Sequence, residues 1–507
     1  MENIYWYKRL NFLLGIFICI AAGLLFRLFQ KQVLGHAAYA AQAEDQYIVK
    51  KDLPAQRGKI YASDQFPLAS NKQFYQVLAI PRNIKNPDDV AEKLGPLLDI
   101  QQSDIFTQIN NDKNYVPPLK HSLLEGEADK IAALKLKGII VLPESKRFYP
   151  EGELASQVLG FVNDTGKGEN VLSKAVKKYS ADSGSIVVMD PNTGAILAMA
   201  GEPTFDPNKF NEVPKEDQNV FNNPTIARPW EPGSVFKPLI MAAAINEGKV
   251  QPDTEGVFSN MVTVDSYEIH TSTDQAYGRE TMTQVLENSD NVAMVWVSEQ
   301  LGKDTEYKYL KDFGFGRKTG IELDTEASGE VLDVKQWSNS LRATVSFGQG
   351  ITVTPIQLGT AVSAIANGGK IMKPYIVSEV TNADGTKDFR EPKEVKRVFN
   401  TDVANKVKDM MVSVVINGHG KKAAVSGYKV AGKTGTAQVP SPGGGYYKDR
   451  HIGSFIGFAP ADDPKFVMLV RLDQPKNVDW AESSAAPTFG ELANWLLDYF
   501  RVPPTEG

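Results

Sequence analysis

The strongest constraint on the fold of this 507-residue chain is an uncharged apolar run near its N-terminus. The run extends from Leu10 to Phe26, with Lys8 and Arg9 before it and Arg27 after it. About 20 apolar residues in a helix are enough to cross the hydrocarbon core of a bilayer. The pattern therefore predicts a short cytoplasmic tail and a single transmembrane helix within residues 1–36, with nearly all of the remaining chain on one side of the membrane.

A cleaved signal peptide is the alternative interpretation of the same run. Small-residue triplets at 38–40 and 41–43 resemble cleavage sites. The anchor is favoured because the run is long and these triplets lie well beyond its end. Lys and Arg flank the run almost evenly, so the distribution of positive charge does not decide its orientation.

Composition narrows the classes of function. The chain is 42% hydrophobic and 23% charged, which is typical of folded domains. Its net charge of -6 and the lack of a long basic run argue against a nucleic-acid partner. The one cysteine, Cys19, cannot build a disulfide framework or a thiolate zinc site, and the five histidines are scattered. We therefore expect no metal and no cofactor.

Two regions follow the predicted anchor. Residues 37–182 have mixed short strand and helix patterns, which predicts an α+β module. From residue 183 the pattern changes, because residues 184–201 contain two apolar runs around an Asp-Pro-Asn-Thr-Gly turn, typical of a hairpin. Residues 451–475 contain another pair of strands, and residues 489–500 have helical apolar spacing. We predict that 183–507 folds around an antiparallel sheet that is flanked by helices and closed by its first and last elements.

A Ser-x-x-Lys motif lies at the predicted start of an apolar helix. Ser234 follows the pair Pro232-Gly233, and Lys237 projects one turn later on the same face, so its amine can reach the hydroxyl. A helix N-terminus also directs free N–H groups at a developing oxyanion. Ser234 as a helix cap and Lys237 as a surface residue is an equally weighted alternative for this motif alone.

Two more motifs follow in order along the chain. Ser289, Asp290 and Asn291 stand at the head of another apolar helix, where simple capping is the alternative. A Lys-Thr-Gly-Thr sequence starts at Lys433 between strand-like flanks, where an edge-strand lysine with a glycine bulge is the alternative. The ordered set is far rarer than any one motif, and it resembles the penicillin-recognising serine acyltransferases.

The resemblance extends to the class B penicillin-binding proteins, the membrane-anchored peptidoglycan D,D-transpeptidases, and is closest to the septal type. It rests on WEPGSVFKP (230–238), SDNVAM (289–294), SFGQGITVTPIQL (346–358) and GKTGTAQ (432–438). The segments PAQRGKIY (54–61) and RFYPEGELASQVLGFV (147–162) are similar to the pedestal of the same family. The resemblance implies an α/β (α+β) penicillin-binding transpeptidase fold over 183–507 behind an α+β pedestal, or dimerisation-type, domain over 37–182.

The chain departs from the family's pattern after the second pedestal segment. Relatives carry a further stretch of pedestal and a Leu-Thr-Ile-Asp strand before the first transpeptidase helix. Here residues 163–184 lead almost at once into the second half of that helix. Either a real deletion or an omission from the sequence near residues 169–171 explains the difference.

The resemblance implies three catalytic residues. Ser234 is expected to attack the D-Ala-D-Ala carbonyl of a stem peptide and form an acyl-enzyme. Lys237 is the expected base, which requires burial and a nearby cation, Lys433, to lower its pKa. Ser289 is expected to relay a proton toward the leaving amine.

The resemblance also implies the groups that bind the substrate. Asn291 is expected to hold the acyl-side amide and to orient Lys237. The terminal carboxylate is expected to bind beside Lys433 and two threonine hydroxyls, and the N–H groups of Ser234 and Thr436 to form the oxyanion hole. Asp290 is expected to be a cap. The expected substrate-binding set is Asn291, Lys433, Thr434, Gly435 and Thr436.

Other fates of the acyl-enzyme remain open at this point. A D,D-carboxypeptidase or a β-lactam sensor needs the same motifs, and a non-catalytic division scaffold is a further alternative. A β-lactamase is disfavoured because no Glu-x-x-Leu-Asn lies between Asn291 and Lys433. The expected partners are peptidoglycan stem peptides, β-lactams, a membrane glycosyltransferase and cell-division proteins. The catalytic domain is expected outside the cytoplasm.

Overall fold

The computed structural model describes residues 2–34, 57–113, 115–159, 171–441 and 443–504, and the chain divides into two units, 1–57 and 58–507. In the first unit, helix α1 (Glu2–Phe29) continues into a π-helical turn, Gln30–Leu34. Among the described residues, Leu10–Leu34 is the one helical stretch long and apolar enough to cross a membrane. The helix predicted from the apolar run is therefore present, while residues 35 and 36 lie outside the described residues.

The N-terminal part of the second unit is an α+β module, as predicted. Its strand β2 pairs antiparallel with the three other strands of a four-stranded sheet, and the helices pack their apolar faces on that sheet around Val77, Leu94 and Ile105. The elements are β1 (Ile60–Tyr61), β2 (Pro67–Ala79), α2 (Pro87–Leu98), α3 (Gln102–Ile109), β3 (Lys120–Leu123), α4 (Glu125–Ala133), β4 (Ile139–Phe148) and α5 (Ser156–Leu159).

The remaining elements surround a larger antiparallel sheet. The described strands are β5 (Ser183–Met189), β6 (Ile196–Glu202), β7 (Glu255–Phe258), β8 (Met261–Val264), β9 (Tyr267–His270), β10 (Gly278–Thr281), β11 (Lys370–Met372), β12 (Glu379–Thr381), β13 (Lys387–Phe389), β14 (Glu394–Arg397), β15 (Ala431–Pro440), β16 (Tyr446–Ala459) and β17 (Phe466–Asp473). The described helices are α6 (Val171–Lys178), α7 (Pro224–Ala227), α8 (Lys237–Asn246), α9 (Met282–Glu287), α10 (Asn291–Leu301), α11 (Lys303–Phe313), α12 (Asn339–Val345), α13 (Pro355–Ala366), α14 (Thr401–Ile416) and α15 (Ala485–Tyr499).

The central sheet has five strands in the order β15-β16-β17-β5-β6, all paired antiparallel. The predicted hairpin is the pair β5 and β6, and β17 from the C-terminal end of the chain pairs with β5. The expectation of one sheet closed by its first and last elements is confirmed.

Alternation along the strands creates two helical layers. Val187 and Met189 of β5 face a core that contains α8, α10, α13 and α14, whereas Ile186 and Val188 face a second core with α6 and α15. Helix α8 is buried almost all round, which explains its continuous apolar sequence. Lys237, the first residue of this helix, is therefore surrounded by packed side chains.

The pedestal is joined to the sheet domain by hydrogen bonds to fully buried Asn208. The Tyr149 N–H donates to Asn208 Oδ1 at 2.9 Å, and Asn208 Nδ2 donates to the Tyr149 carbonyl at 3.1 Å. Gln157 Nε2 donates to the carbonyl of Val220 at 2.9 Å. These bonds use residues of the second pedestal segment, although the predicted domain boundaries at 36/37 and 182/183 stay predictions.

Candidate active site

Ser234 lies in a tight turn that leads directly into α8. The turn is a 3-10 helix, Gly233–Phe236, and Lys237 is the first residue of α8. Pro232 precedes the turn, which has no side-chain cap, and the Lys237 side chain is fully buried. The alternative that made Ser234 a helix cap and Lys237 a surface residue is therefore wrong.

The Ser-Phe-Gly-Gln-Gly segment supports the turn from behind. Gly233 has φ +62, and its N–H donates to the Gly348 carbonyl at 3.0 Å. A Cβ on Gly348 would lie 2.3 Å from the Gly233 carbonyl oxygen, which real Cβ atoms do not approach. Both positions therefore need glycine, because one adopts the left-handed conformation and the other touches backbone.

Strand β15 lies against the other side of the turn. A Cβ on Gly435 would lie 2.9 Å from Val235 Cγ1 and 3.1 Å from the Pro232 carbonyl oxygen. The missing side chain brings the Lys-Thr-Gly-Thr strand next to Ser234. The following hydroxyl, Thr436 Oγ1, accepts the Ala481 N–H at 3.1 Å, so its own proton is available to a ligand.

The Lys237 amine is held by the second motif. Its Nζ donates to the Ser289 carbonyl at 2.5 Å, to Asn291 Oδ1 at 2.8 Å and to Ser289 Oγ at 3.2 Å. The hydrogen bond to Asn291 supports the expectation that Asn291 orients Lys237. No hydrogen bond joins Lys237 and Ser234 within the described hydrogen bonds, and the amine lies instead against these three oxygens.

Lys433 completes a buried cluster with Lys237 and Ser289 below the Gly233–Phe236 turn. The Lys433 side chain is fully buried, and its Nζ donates to Ser289 Oγ at 3.0 Å and to the Thr434 carbonyl at 3.2 Å. Ser289 Oγ therefore accepts from both lysines. Lys433 does lie on an edge strand, but the glycine bulge of the alternative interpretation is absent, because the register is regular from Ala431 to Gln438.

Burial lowers the pKa of both lysines. It lowers the pKa of Lys433 to about 7. For Lys237, burial and then the charge of Lys433 hold the pKa well below its ordinary value, and the nearby carboxyls of Asp290 and Glu280 act in the opposite direction. Desolvation and a neighbouring cation both disfavour a charged amine. Both effects favour the neutral amine, which is the form of Lys237 that can act as a base.

Asp290, the middle residue of the second motif, is a helix cap, as expected. Asp290 Oδ1 accepts the Ala293 N–H at 3.0 Å and caps α10. Ser289, directly before it, has φ +57, a left-handed conformation that is unusual for a residue with a side chain. A strained backbone at a serine between two lysines needs neighbouring contacts to hold it.

An open cleft of about 1530 Å³ lies above this cluster. Ser234, Asn291 and Thr436 line the cleft, and Lys237 and Lys433 lie buried beneath it. The structure thus brings all three sequence motifs to one place. Among the described residues, no group of three or more His, Cys, Asp or Glu side chains is placed to hold a metal ion.

Sequence reasoning missed the residues that brace this site from distant parts of the chain. Glu231 accepts the Gly350 N–H at 2.9 Å and the Tyr446 hydroxyl at 2.8 Å. It therefore links the Gly233–Phe236 turn to the Ser-Phe-Gly-Gln-Gly segment and to β16. Burial raises the pKa of Glu231. Its position beside Pro232 in the first motif indicated that Glu231 lies near the site. Its bonding partners could not be predicted, because they lie more than 100 residues away along the chain.

Family models match both parts of the second unit. The penicillin binding protein transpeptidase domain matches residues 184–494, and the penicillin-binding protein dimerisation domain matches residues 52–186. This fold, with Ser234 at the cleft above buried Lys237, Ser289 and Lys433, is that of a penicillin-recognising serine acyltransferase. The chain belongs to the penicillin-binding protein transpeptidase family. The expected class B type, with a dimerisation domain before the transpeptidase domain, is confirmed.

Individual relatives agree with this assignment. Stage V sporulation protein D of Bacillus subtilis is 31% identical over 99% of this chain and 88% of its own length. The peptidoglycan D,D-transpeptidase FtsI of Escherichia coli is 28% identical over 98% of this chain and 92% of its own length. The crystal structure of penicillin binding protein 3 from Mycobacterium tuberculosis, complexed with aztreonam, has a TM-score of 0.70, 26% identity and coverage of 89% of this chain and 98% of that chain.

The B. subtilis alignment also concerns the segment that relatives carry and that is absent from this chain near residues 169–171. It extends over 569 positions, more than the 507 residues of this chain, so that relative carries residues that this chain lacks. Residues 160–170, where the departure was noted, lie outside the described residues.

Proposed function

We propose that this chain cross-links peptidoglycan stem peptides by acyl transfer through Ser234 during septal wall synthesis, and that β-lactams acylate the same serine. The observation that carries the proposal is the buried pair Lys237 and Lys433, whose amines both donate to Ser289 Oγ beneath the cleft. Lys237 of this pair supplies a neutral amine for proton abstraction, and Ser289 supplies a hydroxyl for proton return.

Acylation begins with attack of Ser234 Oγ on the carbonyl carbon of the penultimate D-Ala. Lys237, as the neutral amine, takes the hydroxyl proton while the Oγ–C bond forms. The C–N bond then breaks, and the leaving amine takes the Ser289 hydroxyl proton. Ser289 recovers a proton from a lysine that already donates to its Oγ.

Binding of the donor end uses β15 and the amide of Asn291. The substrate carboxylate binds beside Lys433 to the hydroxyls of Thr434 and Thr436, with Gly435 giving the strand its close approach. Asn291 Oδ1 accepts from Lys237, and its Nδ2 donates to the His270 carbonyl at 2.9 Å. The second N–H of that amide is left for the acyl-side carbonyl.

The oxyanion is held at the cleft end of the turn. Ser234 and Thr436 both line the cleft, and a Cβ on Gly435, directly before Thr436, would lie 2.9 Å from Val235 Cγ1 and 3.1 Å from the Pro232 carbonyl oxygen. The backbone N–H groups of Ser234 and Thr436 are the donors that we assign to the developing negative charge.

A cross-linking assay tests this function against its alternatives. We expect the detergent-solubilised full chain, given uncross-linked glycan strands with pentapeptide stems, to release D-Ala and to form cross-linked dimers, and the Ser234→Ala variant to do neither. D-Ala release without dimers would instead indicate a D,D-carboxypeptidase. Penicillin acylation with neither product would indicate a sensor, and a folded chain that is never acylated would indicate a scaffold.

The partners and the topology are part of the same proposal. The expected glycan supplier is a membrane glycosyltransferase that, together with cell-division proteins, meets the anchor and the pedestal. The anchor places residues from 58 onward outside the cytoplasm. Protease added to intact spheroplasts should therefore digest this part of the chain, and full protection would contradict the topology.

One observation favours a second site of action. The B. subtilis relative, similar over 99% of this chain, is named as a sporulation protein. A role in the wall of a developing spore is therefore the second candidate. Depletion of the chain from growing cells distinguishes the two, because a septal enzyme is needed for division and a sporulation enzyme is not.

A further inference from the structure

A buried glutamate that has no part in the mechanism above lies behind Ser289. Glu280, on β10, is 2% exposed, and its Oε1 accepts from Asn288 Nδ2 at 2.8 Å. Its other oxygen, Oε2, is buried without a hydrogen-bond partner, and so is Oδ2 of Asp290. Asn288, which bonds to Glu280, lies two residues before Asp290, so the two carboxyl groups are neighbours in the fold, and after burial the charge of Asp290 raises the pKa of Glu280.

Two adjacent buried carboxylate oxygens cannot both stay bare and charged at low cost. A single proton between them satisfies both, since one carboxyl then donates to the other. Asp290 is the better anion because it caps the positive N-terminus of α10. Burial raises the pKa of Glu280 to about 7, in agreement with Glu280 as the proton carrier.

The two carboxyl groups lie beside Ser289, whose backbone is strained. Glu280 bonds to Asn288, immediately before Ser289, and lies near Asp290, immediately after it. Ser289 has φ +57, and its carbonyl and hydroxyl oxygens are the acceptors for the lysine amines. A clamp on both flanks therefore fixes the oxygens that orient those amines.

We propose that Glu280 is a positioning residue that keeps a proton, donates it in a hydrogen bond to Asp290, and so holds Ser289 in place. This inference rests on the acyl transfer at Ser234 proposed above. When Glu280 ionises, it repels Asp290 and opens the clamp. Its added negative charge also favours the protonated form of Lys237, which is not a base.

The other charged groups near the clamp are accounted for. Lys237 and Lys433 face Ser289 from α8 and β15, and both are present in every variant used below. Arg279 and Glu255 form an ion pair on the exposed side of the β7 and β10 pair. Between wild type and the Glu280 variants, Glu280 is the one side chain replaced, so a change in the protonation of Lys237 follows from its charge.

The test is the second-order rate constant for acylation by a fluorescent penicillin between pH 6 and pH 9. Glutamine can accept from Asn288 and donate to Asp290, so Glu280→Gln should react within about twofold of wild type at pH 6, where the clamp is closed in both. Above pH 7 the wild type should lose its clamp, and the ratio of the Gln variant to wild type should rise about threefold to tenfold. Glu280→Ala should be about tenfold slower than the Gln variant throughout.

Glu306→Gln is the matched control. Glu306 is also fully buried with one unpartnered oxygen, and burial raises its pKa to about 8, but it bonds to Ser298, away from the lysines. Its acylation ratio to wild type should not change with pH. A flat ratio for Glu280→Gln, or a Gln variant as slow as Glu280→Ala at pH 6, would overturn the proposal.

Thermal unfolding separates this inference from the function on which it rests. The pKa of folded Glu280 is raised, so the stability from its proton is lost as pH rises from about 4.5 through about 7. We expect the unfolding midpoint of wild type to fall relative to Glu280→Gln between pH 5 and pH 8. That fall supports the clamp even in a chain that is never acylated, and its absence would contradict the clamp in an active enzyme.

Discussion

Replacing Ser234 with alanine should abolish covalent labelling by a fluorescent penicillin. The acylation rate is expected to fall by at least about a thousandfold, because alanine has no hydroxyl to attack the drug. The variant should remain folded, since Ser234 is partly exposed and its side chain caps no helix. Gel fluorescence after incubation with the drug, read beside the unfolding midpoint, measures both effects.

Ser340→Ala is the matched control for this variant. Ser340 lines the same cleft, and its Oγ bonds to the Ser338 hydroxyl rather than to a residue of the three motifs. We expect this variant to label at the wild-type rate. Equal labelling of the Ser234 and Ser340 variants would remove Ser234 from the mechanism.

Replacing Lys237 with methionine should slow acylation by about 10²-fold to 10⁴-fold, the usual contribution of a general base. Methionine fills similar volume in the buried site but cannot accept the serine proton. It also leaves the Ser289 carbonyl and Asn291 Oδ1 without their donor, which should cost about 1–3 kcal/mol of unfolding free energy for each group. Stopped-flow or quenched labelling gives the rate, and thermal unfolding gives the stability.

Lys249→Met controls for the loss of a lysine near the same helix. Lys249 is exposed just beyond the C-terminal end of α8, far from the cleft-facing turn at the other end. It should leave both the labelling rate and the unfolding midpoint close to wild type. A folded Lys237→Met protein that labels as fast as Lys249→Met would show that another group is the base.

Much of the fold was predictable because local patterns determine it. The two apolar runs around the Asp-Pro-Asn-Thr-Gly turn in 184–201 predicted a hairpin, which the pair β5 and β6 forms. The motif spacing also placed Ser234 and Lys237 on one turn. The resemblance then implied which distant motifs meet, and the structure brings them together beneath one cleft.

The support of the site was not predictable in the same way. Glu231 bonds to Gly350 and Tyr446, and Glu280 bonds to Asn288 across a strand and helix junction. These contacts depend on how separate elements pack, and a single glutamate carries no periodic signal. The Lys237 amine likewise bonds to Ser289 and Asn291 rather than to Ser234, because the packing of separate elements places their oxygens within hydrogen-bonding distance of Nζ.

The central claim is that Ser234 forms the acyl-enzyme above a buried lysine pair. Mass spectrometry of the intact full chain after incubation with a penicillin, followed by peptide mapping, tests it most directly. We predict one adduct with the full mass of the drug, located on Ser234. A fully folded protein with no adduct, or with the adduct on any other residue, would contradict the account.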